Sequence, residues 1–151
     1  MTRRMEEVVP SIRVDQARLR RAARALDLQV VFLFGSRARG TARPASDVDL
    51  AVRTAFPRWR DWRWQLKCMR WLGEAIRGAE IDVVFLNEAS PTLLWEACQG
   101  ILLYEDQPWR GAMLRSYALR LYEDQEKLRL AALRSLRRRH GRSKASRYSS
   151  R

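Results

Sequence analysis

Apolar residues recur in the first part of the chain at two spacings, one typical of helices and one typical of strands. Residues 15–26 repeat apolar side chains at steps of three and four, which predicts a short amphipathic helix with Asp15 as its N-cap. Residues 28–34 (LQVVFLF) form a β-branched and aromatic run that ends at a Gly-Ser turn, which predicts a buried strand. Polar and apolar residues alternate in 47–53, and this alternation predicts a second strand.

The helical spacing returns in residues 59–77, where we predict a helix that packs on the sheet. Its core-facing stripe would comprise Trp62, Leu66, Met69, Leu72 and Ile76. Trp59, Trp62, Trp64 and Trp71 are interleaved with arginines and could form a surface that stacks on a base or on RNA, although the spacing of Trp62 favours core packing. Trp59 and Trp64 lie off the stripe, so they are the better candidates for a partner surface.

Two short strands and a long helix follow. Strands are predicted at 80–86 and 101–104, with a helix at 91–99 between them. A last helix of about 30 residues is predicted from near Trp109 to Arg138, about 45 Å long at the usual rise per residue. Because this length exceeds the diameter of a domain of this size, part of its apolar side is expected to contact a partner protein. That side comprises Leu114, Ala118, Leu121, Leu128 and Ala132.

Four strands interspersed with helices predict an α/β (α+β) fold in a single domain. The chain has 151 residues, of which 46% are hydrophobic, enough to form a core without metal or disulfide staples. Cys68 and Cys98 have no metal-ligand spacing, so we expect reduced, buried thiols. No run approaches the roughly 18 apolar residues that span a bilayer, and we expect a cytoplasmic protein without membrane contact.

Positive charge dominates the chain and is concentrated at its C-terminus. The formal net charge is +13, and residues 134–151 contain eight Lys and Arg but no acidic residue, which leaves +5 for residues 1–133. We therefore predict a domain at 1–133 that includes most of the long helix, and a basic, flexible tail at 134–151. The tail is either a solvated charged segment or a weak nucleic-acid contact.

The residues that indicate chemistry begin where the first predicted strand ends. Gly35 lets the backbone approach a ligand closely, and Ser36 can cap a short helical turn that ends at Gly40. Backbone amides at such a turn bind phosphate, and Arg37 and Arg39 add positive charge beside it. Gly35, Ser36, Arg37 and Arg39 are the predicted nucleotide- and phosphate-binding residues.

Three aspartates complete the predicted site. Asp47 and Asp49 are two apart on a strand, so their carboxylates face the same way and repel each other unless a cation lies between them. Mg²⁺ commonly binds one or two carboxylates together with the phosphates of its substrate. Asp82 lies in an otherwise apolar strand, where an unpaired carboxylate is costly, and it would complete a triad for two Mg²⁺ ions if the two strands are neighbours. Asp47, Asp49 and Asp82 are thus the predicted catalytic and metal-binding residues.

Gly35-Ser36, ten intervening residues, Asp47-x-Asp49 and the later Asp82 resemble the minimal nucleotidyltransferases of the DNA polymerase β-like superfamily. The likeness covers positions 15–104, and the small size and long final helix are most similar to the antitoxin branch, which is paired with HEPN ribonuclease toxins. This resemblance implies a mixed sheet of about four strands flanked by helices. It also implies Mg²⁺-dependent transfer of AMP from ATP to a tyrosine of the toxin, which neutralises the toxin.

Two other functions stay open on the sequence alone. The chain is also compatible with a catalytically silent antitoxin that occludes its partner through the long helix, although pure binding does not need three converging acids. A nucleotidyltransferase acting on a small molecule or on the 3′ end of an RNA is the third alternative. The known enzymes of that kind resemble larger proteins with a second domain that builds the acceptor pocket.

Overall fold

The computed structural model describes residues 5–55 and 57–148, with side chains described as far as residue 137. The helices are α1 (Gln16–Ala25), α2 (Gly35–Ala38), α3 (Trp62–Ala75), α4 (Pro91–Cys98) and α5 (Arg110–Tyr148). The strands are β1 (Met5–Val9), β2 (Ile12–Asp15), β3 (Leu28–Phe34), β4 (Val48–Thr54), β5 (Ile76–Arg77), β6 (Ile81–Phe85) and β7 (Ile101–Glu105).

The four strands predicted from the sequence form one sheet in the order β6-β4-β3-β7. Strand β3 pairs antiparallel with β4 and with β7, whereas β4 and β6 run parallel. The predicted mixed sheet of four strands flanked by helices is therefore confirmed, and each predicted strand boundary lies within one residue of the observed one.

A second sheet, in the order β1-β2-β5, was not predicted. Strand β2 supplies Ile12 and Val14 to the core and leads directly into α1. The predicted N-cap of α1 is confirmed, because the Asp15 side chain accepts a hydrogen bond from the backbone N of Arg18 at 3.0 Å. Strand β5 is only two residues long, and a strand this short carries too little periodicity to be distinguished from the end of a helix.

Apolar side chains cover both faces of the four-stranded sheet. Alternate residues of β3 point to opposite faces. Val31 and Leu33 join a core with α1 and α3, whereas Val30 and Phe32 join a second core with α4 and α5. Burial on both faces explains why β3 is continuously apolar instead of alternating.

The buried face of α3 differs from the predicted one. Trp64, Cys68, Leu72 and Ala75 are buried, whereas Trp62 is 62% exposed and Leu66 is 56% exposed. This helix is apolar on more than one side, so periodicity alone did not select a face. The indole of Trp64 packs against Phe85 of β6, with ring centroids 5.6 Å apart, and this contact fixes the orientation.

The partner surface predicted at Trp59 and Trp64 is consequently wrong for Trp64. Trp64 belongs to the core, and Trp59 is half-buried against the same core. The large apolar side chains that α3 leaves exposed are Trp62 and Leu66, which the sequence pattern had assigned to the interior.

Helix α5 is longer than predicted. It has 39 residues, and it passes the predicted end at residue 138 as well as the predicted domain boundary at residue 134. Residues 134–148 contain no proline, and the single Gly141 costs only about 1 kcal/mol in a helix interior, which does not stop it. A separate role for residues 134–151 stays a prediction.

Only the first part of α5 packs on the domain. Leu114 and Ala118 are buried and Leu121 is half-buried, whereas Leu128 is 73% exposed and Ala132 is exposed. Three of the five residues of the predicted apolar side thus complete the second core, and the other two lie beyond it. Within the described residues, no helix is long and apolar enough to cross a membrane.

Both cysteines are free and buried, as predicted. Burial raises the pKa of the Cys68 thiol to about 12 and is the main cause that raises the pKa of Cys98 to about 11. Both side chains are therefore uncharged thiols that serve as core residues at neutral pH.

Candidate active site

The backbone turns sharply at Gly35, immediately after β3. Gly35 has a φ of 72°, and α2 begins at this residue. Helix α2 is short, and the chain folds back on it because the backbone N of Thr41 donates to the carbonyl of Ser36 at 3.0 Å. The predicted turn is thus present, and it ends at Gly40, which also has a φ of 72°.

Ser36 does not cap this turn. The N-cap position is Phe34, with no side-chain capping bond, and Ser36 lies inside α2. Its hydroxyl makes no hydrogen bond to any residue that the structure describes. The reason is the position of the turn: the helix begins at Gly35, one residue earlier than a Ser36 cap requires. The hydroxyl is consequently available to a ligand.

The sheet register brings the three predicted acids to one end of the sheet. Asp49 is paired with Phe34 of β3 on one side and with Asp82 of β6 on the other. Asp47 comes just before β4, two residues from Asp49, and therefore shares its face. The strand of Asp82 therefore lies beside the strand of Asp49, as the predicted triad requires.

Gly35 and Asp49 are in close contact. A β-carbon added to Gly35 would lie 2.9 Å from Cγ of Asp49 and would overlap its Oδ2 oxygen. Only a residue without a side chain leaves room for this carboxylate, so the glycine turn and the acid form one site.

The acids affect one another electrostatically. The pKa of Asp49 is raised above its ordinary value of 3.8, first by burial and then by the negative charges of Asp82 and Asp47, while Arg39 opposes the shift. Such mutual repulsion is relieved when a cation binds between the carboxylates. The donor set consists of carboxylate oxygens, the ligands that Mg²⁺ prefers.

The three acids do not form a closed metal-binding cluster in this structure, and their binding of two Mg²⁺ ions stays a prediction. Among the described residues, no three acidic, histidine or cysteine side chains converge closely enough to enclose a metal ion. Asp82 is also exposed and not buried, and β6 is one of the two edge strands of this sheet. These carboxylates do not enclose a cation by themselves, and Mg²⁺ in proteins commonly completes its coordination sphere with water and substrate phosphates.

The two predicted phosphate-binding arginines have different surroundings. Arg39 is exposed and acts electrostatically on Asp49. Arg37 is buried, and its guanidinium donates hydrogen bonds to the backbone carbonyls of Ser46 and Pro44. No sequence pattern indicated that Arg37 binds these two carbonyls. Every residue has a backbone carbonyl, and only the fold determines which carbonyls lie within reach of the guanidinium.

A family model described as polymerase beta, nucleotidyltransferase matches residues 19–108. The chain belongs to this nucleotidyltransferase family. The matched segment runs from α1 to the loop before α5, so it includes the Gly35 turn and all three acids.

A curated relative of this family member is the protein adenylyltransferase MntA of Shewanella oneidensis. The two are 35% identical over 82 residues, which are 54% of this chain and 54% of the relative. The matched part of the chain thus spans about half the length of MntA.

Solved structures share the fold of this family member. One is a toxin–antitoxin crystal structure with AMP-PNP, with a TM-score of 0.60, 22% identity and coverage of 80% of this chain and 97% of that chain. Another is a tri-AMPylated Shewanella oneidensis HEPN toxin in complex with an MNT antitoxin, with a TM-score of 0.55, 20% identity and coverage of 80% and 94%. Likeness at this level of identity concerns the fold.

Proposed function

We propose that this nucleotidyltransferase is an antitoxin that transfers AMP from ATP to a tyrosine hydroxyl of a partner HEPN ribonuclease toxin. The observation that carries the proposal is the contact of Asp49 with the Gly35 turn on one side and its pairing with Asp82 on the other. The relative named as a protein adenylyltransferase and the fold shared with an AMPylated toxin–antitoxin complex support the acceptor and the partner.

In this proposal, each part of the site has a separate task. The Gly35 turn and the Ser36 hydroxyl bind the triphosphate, and Arg39 adds positive charge beside them. Asp47, Asp49 and Asp82 would hold Mg²⁺, with two ions in the full site. Bound there, Mg²⁺ would neutralise phosphate charge and favour in-line attack on the α-phosphorus.

The proposed reaction is a displacement at the α-phosphorus of ATP. The tyrosine oxygen forms a bond to the α-phosphorus of ATP, and the bond from that phosphorus to the bridging oxygen of the β-phosphate breaks. Pyrophosphate leaves, and the phenolic proton passes to a carboxylate of the site, for which the exposed Asp82 is the candidate. The product is AMP-tyrosine.

The partner surface in this proposal is the part of α5 beyond the domain. Leu128, Leu130 and Leu133 are exposed there, and none of them belongs to either core. Leu130 and Leu133 are three residues apart and therefore adjacent on the helix surface, and adjacent exposed leucines are typical of a protein interface. The basic end of the helix could add a weak nucleic-acid contact.

The test is mass spectrometry of the purified toxin after incubation with this protein, ATP and Mg²⁺. We expect the toxin to gain the mass of one or a few AMP units on tyrosine and to lose ribonuclease activity. Asp82→Asn, in which an amide coordinates metal poorly and takes no proton, should bind the toxin normally and transfer nothing. Asp124→Asn, at an exposed acid of α5, is the matched control and should transfer normally.

Two other results would contradict the proposal. A toxin of unchanged mass that is inhibited stoichiometrically would establish a silent antitoxin acting by occlusion. AMP found on RNA or on a small hydroxylated molecule, with no label on the toxin, would establish a nucleotidyltransferase with a different acceptor.

A further inference from the structure

Arg37 is unusual because it is a charged residue in the interior. Its exposure is only 8%, and among the described residues it has no acidic partner within ion-pair distance. A buried guanidinium without hydrogen bonds would be strongly destabilising, so its partners indicate its role.

The partners of Arg37 are two backbone carbonyls just before Asp47. Its Nε and Nη2 both donate to the carbonyl of Ser46, at 3.1 and 2.6 Å, and Nη2 also donates to the carbonyl of Pro44 at 3.2 Å. A planar guanidinium can place two parallel donors on one oxygen, which a lysine ammonium on a flexible stem cannot do with the same geometry.

These bonds connect the two halves of the site. Arg37 lies on α2, which begins at the Gly35 turn, and Ser46 immediately precedes Asp47. One residue further, the backbone N of Val48 donates to the carbonyl of Glu80 at 2.8 Å, which begins the pairing of β4 with the strand of Asp82. A shift of residues 44–48 would therefore move Asp47 relative to both the turn and Asp82.

We infer that Arg37 is a positioning residue, which holds Asp47 and Asp49 against the Gly35 turn and does not itself bind the triphosphate. To reach a phosphate, its guanidinium would have to leave both carbonyls. Arg39 is exposed at the C-cap of α2, two residues after Arg37; it has no such bonds in the described part of the chain and is free to face an anion. This inference rests on the proposed transferase function for its kinetic test.

The test compares Arg37→Met and Arg37→Lys with the matched variant Arg39→Met in the full chain. For Arg37→Met we expect kcat to fall about 100-fold with little change in the KM for ATP, because a displacement near 1 Å of a catalytic group has this effect. Arg37→Lys should recover only part of the loss. Arg39→Met should instead raise the KM for ATP, and thermal unfolding checks that every variant is folded.

Hydrogen–deuterium exchange of the peptide covering residues 41–48 gives a measurement that does not depend on activity. In Arg37→Met its amides should exchange about tenfold faster or more, since the loop loses its hydrogen bonds to the guanidinium, while the β3 amides stay unchanged. In Arg39→Met this peptide should exchange as in the wild type.

The outcomes separate this inference from the proposed function. Unchanged exchange at 41–48 in Arg37→Met, or a raised KM for ATP with normal kcat, would overturn the positioning role. If the wild type transfers no AMP at all, the proposed function fails, and faster exchange confined to 41–48 in Arg37→Met would still support the positioning of the acids.

Discussion

Gly35 and Asp49 are in contact across two antiparallel strands, so closely that a β-carbon on Gly35 would overlap the Asp49 carboxylate. The glycine has a φ of 72°, a backbone conformation that residues with a side chain rarely adopt. Two physical demands, a left-handed backbone and an absent side chain, therefore coincide at the residue where the turn meets the acids.

Gly35→Ala and Gly40→Ala separate these two demands. Both glycines have a φ of 72°, but a β-carbon on Gly40 meets no atom within 4 Å. Each substitution should cost about 1–2 kcal/mol of stability through backbone strain. Only Gly35→Ala should abolish transfer, because it displaces Asp49. Equal activity of the two variants, measured by AMP incorporation, would contradict a role for the Gly35–Asp49 contact.

Asp49→Asn should stabilise the protein at neutral pH while it abolishes transfer. Burial and the charges of Asp82 and Asp47 raise the pKa of Asp49 in the folded chain above 3.8. Ionisation is therefore less favourable in the folded than in the unfolded state, and the wild type loses stability as the pH rises through the folded pKa. An asparagine does not ionise and avoids this loss.

Thermal unfolding between pH 3 and pH 7 measures this effect. The difference in Tm between Asp49→Asn and the wild type should be small below pH 3.8 and should grow in favour of the variant as the pH rises. The control is Asp124→Asn, which removes an exposed acid next to Lys127 and should give no such gain. A Tm difference that is independent of pH would show that burial and the charges of Asp82 and Asp47 do not raise the pKa of Asp49.

The two tryptophans of α3 should differ strongly in their effect on stability. Trp64→Ala removes a core residue that packs on Phe85 and should lower the free energy of unfolding by about 3–5 kcal/mol. Trp62→Ala removes an exposed side chain and should change it by about 0.5 kcal/mol or less. Denaturant unfolding gives both values. A larger loss of stability in Trp62→Ala than in Trp64→Ala would instead support the buried stripe that periodicity predicted.

Removal of residues 127–151 should separate toxin binding from nucleotide binding. The buried part of α5 ends before this point, so the truncated chain should fold and bind an ATP analogue as the full chain does. The truncated chain should no longer bind the toxin, because Leu128, Leu130 and Leu133 are removed. In the full chain, Leu128→Lys with Leu133→Lys should weaken the complex, and Leu66→Lys should not, because it changes a leucine on α3 whose exposure lies between those of the other two. Calorimetric titration of the toxin with the wild type and with each variant measures the affinity. Normal binding by the truncated chain would show that the interface lies elsewhere.

The local pattern of apolar and polar residues determined the strands of the four-stranded sheet and helix α1. Strand β3 could be predicted because burial on both faces demands a continuous apolar run, and α1 because its cap and its apolar spacing are encoded within a few residues. The Gly35 turn and the acid pair were recognisable for the same reason. Their spacing is a local property, and strand periodicity already places Asp47 and Asp49 on one face.

The tertiary structure decided which strands pair with each other and which face of a helix is buried. Asp82 joins Asp49 only because β6 lies parallel to β4 in register, and β5 joins the β1–β2 hairpin only by pairing with β2 across a long stretch of chain. Trp64 and not Trp62 is buried because α3 has apolar residues on several sides and the sheet selects one of them. Arg37 was predicted to bind phosphate from its charge, yet its hydrogen bonds are made to backbone carbonyls, which no residue type encodes.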